Sequence, residues 1–162
     1  MKLNYLLIVL LFLAVSCSSY KPPKKYDFEK ERIYNVDYDT MWQRVVNMTS
    51  DMNMPIKNID KNSGLIASDY NLSTSTMSNI MDCGTPAESL DIYKFEDPRA
   101  NLNIVVSKVS GNKTKVKVNL FCKTFYSRYS YVNGQYYKAG SQMIDCNSTG
   151  KLETEILNYL GQ

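Results

Sequence analysis

The side chains best suited to covalent chemistry in this chain are its cysteines, at positions 17, 83, 122 and 146. No histidine accompanies them anywhere in the sequence. That removes Ser-His and Cys-His nucleophile pairs, histidine-ligated zinc and the commonest general base. Nor does the sequence show a nucleophile elbow, a phosphate-cradling glycine loop or carboxylates paired for acid and base work. An enzyme is therefore the least expected class, no cofactor is expected, and without C-x-x-C spacing neither is a metal site. The chemistry left to the thiols is acylation, disulfide formation or burial as small hydrophobes, and their surroundings decide which.

Cys17 closes a distinctive stretch. Lys2 precedes the apolar run Tyr5 to Val15, small residues follow, and the chain turns polar at Ser18-Ser19-Tyr20-Lys21. That is the layout of an export signal, and the run is too short for a bilayer span, which needs about 20 residues. Ala14-Val15-Ser16-Cys17 resembles the lipobox of bacterial lipoproteins, with Ala14 where Leu is usual. The resemblance implies that residues 1–16 are a signal peptide, that the Cys17 thiol carries diacylglycerol, and that the new amino group can be acylated. At about 0.8 kcal/mol per buried methylene, two or three chains on one cysteine hold a protein on a bilayer almost permanently. Ser18, which is not the Asp of retained lipoproteins, implies the outer membrane if the host has two membranes. Two other readings stay open: ordinary cleavage after Ser16 with Cys17 left free, and a cytosolic protein with a buried N-terminal helix.

From Ser18 to Arg32 the residues read as a flexible tether. Pro22-Pro23 favours extended geometry, and lysines mix with acids in a segment of little apolar content. Lys21, Lys24 and Lys25 either attract anionic headgroups or are simply solvated, with the second preferred. Residues 33–162 are of ordinary single-domain size. A net charge of +3 is too weak to argue for nucleic acid.

Hydrophobic spacing sets out the elements that position these groups. A short strand is expected at Ile33 to Val36, and a helix over about Thr40 to Met52 with Asp39 and Thr40 at its start and Trp42 on its apolar face. A hairpin is expected over Pro55 to Tyr70, turning at Lys61-Asn62-Ser63-Gly64. Asn71 to Asp82 resists assignment and reads as a loop. Leu90 to Phe95 reads as a short strand closed by Glu96-Asp97-Pro98. Leu102 to Phe125 alternates strongly around a turn at Ser110 to Lys113, and Tyr126 to Ala139 forms a second hairpin around Asn133-Gly134. A final helix follows Cys146, with Ser148 or Thr149 as its cap. Helices segregated on one face of an antiparallel sheet make an α+β domain.

Cys122 falls on the apolar side of its strand and reads as a small buried hydrophobe. With Cys17 assigned to lipid, Cys83 and Cys146, both in turn-like segments, are the expected disulfide. One surface also invites a functional reading. Tyr126, Tyr129, Tyr131, Tyr136 and Tyr137, with Phe125, Lys123, Arg128 and Lys138, would present aromatic rings and cations on one hairpin, as contact surfaces for proteins or sugars do. Aromatic residues also populate strands for structural reasons alone, and that reading is preferred.

Tyr38-Asp39-Thr40-Met41-Trp42, Pro55-Ile56, Asp60, Gly64-Leu65-Ile66, Tyr70 and Cys146 through Glu153 resemble the BamC/NlpB-like envelope lipoproteins with a helix-grip domain. The resemblance spans roughly residue 33 to the end. It implies a sheet with one helix after the first strand and a C-terminal helix packed on the same face. The best-known relative of that type has two such domains and an extended partner-binding N-terminal segment, whereas this chain has room for one domain and a short leash. The function expected is a lipid-anchored, non-catalytic scaffold or accessory subunit of the cell envelope, with outer-membrane assembly as the setting the resemblance implies. Its partners would be the membrane and an envelope protein or peptidoglycan. The alternative is a carrier or sensor of an apolar small molecule held between sheet and C-terminal helix.

Overall fold

A computed structural model describes residues 19–71 and 74–162, with the side chains of residues 70, 71, 74 and 75 left aside. The fold is α+β, as the alternation and helical spacing imply. In chain order the elements are β1 (Glu31–Tyr34), α1 (Tyr38–Asp51), β2 (Ile56–Asp60), β3 (Leu65–Asn71), α2 (Thr74–Ile80), β4 (Met81–Asp82), β5 (Ile92–Lys108), β6 (Thr114–Val132), β7 (Gln135–Ser148) and α3 (Lys151–Tyr159).

The sheet runs β2-β3-β5-β6-β7-β4, and all of its pairings are antiparallel. β6 is its axis. β5 lies along one edge of β6, while β1 and β7 share the other in tandem: β1 pairs with residues 114–117 and β7 with residues 122–132. Alternate residues of β5 and β6, from Leu102 to Val118, face α1 and α3 and meet Met41, Val45, Met48, Ile156, Leu157 and Leu160 in one core. Trp42 belongs to it, 6% exposed. A second, smaller cluster holds Met81, Cys83, Ala100, Cys122 and Cys146.

Several boundaries move for local reasons. α1 begins before Thr40 because Asp37 is its cap, accepting from the Thr40 N–H at 3.0 Å. Residues Thr74 to Ile80, expected as loop, form a short helix whose last carbonyl accepts the Thr149 N–H at 3.0 Å. The strand expected to close at Glu96-Asp97-Pro98 instead absorbs those residues in a bulge, with Asp97 at φ 48°, and continues as β5. A bulge keeps a ladder running while a proline withholds its donor. α3 is capped at Gly150, φ 81°, not at Ser148 or Thr149; the Ser148 hydroxyl accepts from the Gly150 N–H at 3.0 Å.

The expected flexible tether is the main correction. Residues 20–30 lie along the domain as an extended strap, and β1 starts at Glu31 rather than Ile33. Low apolar content suggested a free leash, but the strap is held chiefly by backbone hydrogen bonds and three rings, Tyr20, Tyr26 and Phe28. Two glycines make room for it. A Cβ on Gly84 would stand 2.1 Å from the Lys21 carbonyl oxygen, and one on Gly150 would stand 2.2 Å from the Phe28 ring.

Candidate functional site

The expected acylation site, Cys17, lies outside the described residues, and so do Ser18 and the signal segment. What the structure places is the chain just after them. The Tyr20 hydroxyl donates to the Cys83 carbonyl at 2.8 Å, and Lys21 and Thr85 exchange N–H···O bonds at 3.0 and 2.9 Å. The Lys24 N–H and the Tyr26 hydroxyl both donate to Asp82 at 3.0 Å, and Asn147 donates to the Lys24 carbonyl at 2.7 Å. Burial works to raise the Asp82 carboxyl, but these donors and the Gly84 N–H hold it below its usual range. Farther on, the Lys30 carbonyl accepts from the Val118 N–H at 2.8 Å. The strap therefore crosses the disulfide loop before it becomes β1.

Cys83 and Cys146 form that disulfide. It joins the segment after β4 to the end of β7, and closing a loop of 63 residues is worth about 4 kcal/mol by chain entropy. Cys122 faces Cys146 across the β6–β7 ladder and is free and buried. Burial pushes its thiol up to about 12, and the nearby Glu153 adds to the effect. Such a thiol is neither a nucleophile nor an exchange partner near neutral pH.

The aromatic residues of the second hairpin are divided by the sheet. Successive residues of a strand point to opposite faces, so Tyr126, Arg128 and Tyr137 share the face that carries the helices, while Tyr129, Tyr131 and Tyr136 share the other. Tyr126 is a packing residue. Its ring lies 5.1 Å from Tyr20, 5.3 Å from Tyr93 and 5.6 Å from Phe95, and its hydroxyl accepts from the Ala87 N–H at 3.0 Å. Tyr129 donates to Glu96, which also takes Lys138 at 2.7 Å; Lys138, the Ser127 hydroxyl and Tyr129 together hold the Glu96 carboxyl down to about 2. Arg128 stands 3.8 Å from Asp91.

What remains open is the end of the arm. Residues 131–143 are exposed throughout. Tyr131 and Tyr136 face each other at 5.0 Å between ring centres and are 60% and 51% exposed, with Tyr137 behind them at 53%. The turn at Asn133 and Gly134 has positive φ at both residues, as a tight hairpin of this hand requires.

A cleft of about 620 Å³ opens where the strap bridges the gap between β1 and β7. Phe28 and Lys30 of the strap, Leu120 and Cys122 of β6, and Glu153 of α3 line it. Glu153 is 1% exposed; burial pushes its carboxyl up, against the Ser148 hydroxyl that donates to it at 2.9 Å and the charge of Lys30. In the sequence Glu153 stands only as an acid near the start of the final helix, and nothing there signals its burial. Among the described residues no group of three His, Cys, Asp or Glu side chains gathers as a metal site would. No helix among them is long and apolar enough to cross a membrane.

No protein-family model matches this chain, and no curated protein matches it either.

Proposed function

We propose that this protein is a lipid-anchored lipoprotein of the bacterial cell envelope whose single α+β domain is a non-catalytic scaffold or accessory subunit, with the hairpin end at Tyr131 and Tyr136 as its contact surface. The observation that carries the reading is that arm. A strand pair that runs past its own core, with rings exposed on both faces, gains little stability by itself. Tyrosine is enriched where proteins meet. The export-signal layout and the acylation motif around Cys17 supply the anchor, and the disulfide suits an oxidising compartment. The likeness to BamC/NlpB-like helix-grip lipoproteins adds outer-membrane assembly as the setting.

The carrier reading is weaker. The space between sheet and α3 is filled by Val116, Val118, Ile156, Leu157 and Leu160, none more than 1% exposed. The cleft under the strap has the volume of a small-molecule site, but Lys30 and Glu153 suit it to a polar ligand.

Photocrosslinking from the arm in native membranes, read by mass spectrometry, tests the proposal. One partner should be captured in the wild type and lost in a Tyr131→Ser/Tyr136→Ser double variant, with the melting temperature unchanged within about 2 °C, since surface substitutions usually stay within about 0.5 kcal/mol. Capture that survives the double substitution would sink the arm as contact surface. So would an equal loss of stability, which would make the two rings structural.

A further inference from the structure

We infer that the domain turns one particular face to the bilayer, the loop that carries Leu90 beside the start of the strap, and that the Leu90 side chain enters the lipid. The inference rests on the proposed acyl anchor at Cys17 and adds to it the orientation of the domain.

Chain length is the first ground. Cys17 and Tyr20 are three residues apart, and a fully extended chain covers at most about 3.6 Å per residue, so the acylated residue stays within roughly 11 Å of Tyr20. Tyr20 is fixed to the domain by its hydroxyl on the Cys83 carbonyl and by its ring on Tyr126. A free tether over residues 18–32 would let the domain tumble above the membrane; the docked strap removes nearly all of that slack.

The second ground is what lies beside this point. The Tyr126 hydroxyl binds the Ala87 N–H at 3.0 Å, so the loop that leads into β5 is pinned at the same end of the sheet. Ser89 then turns the chain, its hydroxyl accepting from the Asp91 N–H at 3.1 Å, and Arg128 reaches Asp91 from β6. At the crest of the turn Leu90 is 99% exposed, the most exposed of the large apolar side chains among the described residues. An isolated exposed leucine is ordinary. This leucine sits on a pinned turn: its loop is bonded through the Ala87 N–H to Tyr126, the residue on which the Tyr20 ring packs, and it precedes Ile92, which pairs with Tyr129 three residues farther along β6.

The charges around the loop balance: Arg128 answers Asp91, and exposed Lys21 at the mouth of the strap offsets exposed Glu88, so the orientation rests on reach and on the apolar side chain. The turn at Ser110 to Lys113 lies at the opposite end of β6, at least 15 residues along the chain from Arg128, which makes it the remote reference point for this orientation.

The test uses the full-length acylated chain reconstituted in vesicles of phosphatidylethanolamine and phosphatidylglycerol. Single Leu90→Cys and Asn112→Cys variants carry an environment-sensitive fluorophore, and lipids bearing a shallow spin-label quencher are added. Both sites are exposed, so labelling leaves the fold intact. The Leu90→Cys probe should be quenched at least threefold more than the Asn112→Cys probe. If the protein pellets with the vesicles and carries acyl mass on Cys17, yet the two probes are quenched alike, the orientation is wrong and the anchor stands. If Cys17 is bare and the protein stays in the supernatant, anchor and orientation both fall.

Discussion

Glu153 is an acid buried in the wall of a cleft, and its titration has a definite sign. Burial raises its folded pKa above the ordinary 4.5, so the folded chain holds a proton that the unfolded chain would release. That linkage contributes stability fully present below pH 4.5 and lost as pH rises through the folded value. Glu153→Gln should remove the dependence. Urea midpoints measured from pH 4 to pH 8 should show the variant gaining on the wild type as pH rises, and parallel curves would contradict it. Glu96 runs the other way. Held down to about 2 by Lys138, Ser127 and Tyr129, it stabilises the base of the arm above pH 4.5, and that contribution fades as pH falls toward 2. Neither role was legible in sequence. What sets each apart is distant in the chain: Lys30 and Cys122 beside Glu153, Ser127 and Lys138 beside Glu96.

At the scale of elements, the strap is the segment whose character changes most between sequence and structure. Its extended course was legible from Pro22-Pro23. Its docking was not, because that depends on surfaces made by residues distant in the chain: Asp82, Thr85, Asn147 and the bare faces of Gly84 and Gly150. Gly84 lies at φ 85° with the Lys21 carbonyl against its α-carbon, so Gly84→Ala both strains the backbone and pushes the strap away. The strain alone is about 1–3 kcal/mol. Limited trypsin digestion reads this directly. Cleavage after Lys24 and Lys25 should be slow in the wild type and at least tenfold faster in Gly84→Ala, with residues 31–162 left intact. Equal rates would mean that the strap is free in solution. The arm shows the complementary case: its Asn-Gly turn and alternation were plain in the sequence, but its length was not. Glu96-Asp97-Pro98 looked like a stop, and only the β6 partner shows that the ladder runs on past the bulge.

For the molecule as a whole, alternation from Leu102 to Cys122 and the helical spacing around Trp42 and Ile156 were enough to give the α+β class, the single face that carries the helices and the burial of Cys122. The Cys83–Cys146 bridge was expected because both residues read as turn-like; the pairing holds, but only Cys83 lies outside a strand, while Cys146 lies in β7 directly across from Cys122. The division of the tyrosines was within reach of period-two counting along β6, yet it takes the β7 register to show which rings meet. The strap begins between the disulfide, level with Cys122 in the middle of β6, and the turn at Leu90, which precedes the Ile92–Tyr129 pair at the base of the arm; the residue proposed to carry lipid is three residues from that point.

Intact mass analysis of the chain isolated from membranes of its host, with detergent phase partition alongside, bears most directly on that anchor. The polypeptide should begin at Cys17, carry the mass of two or three acyl chains there, and enter the detergent phase. A chain that still begins at Met1, or that has an unmodified Cys17 and stays in the aqueous phase, would contradict it.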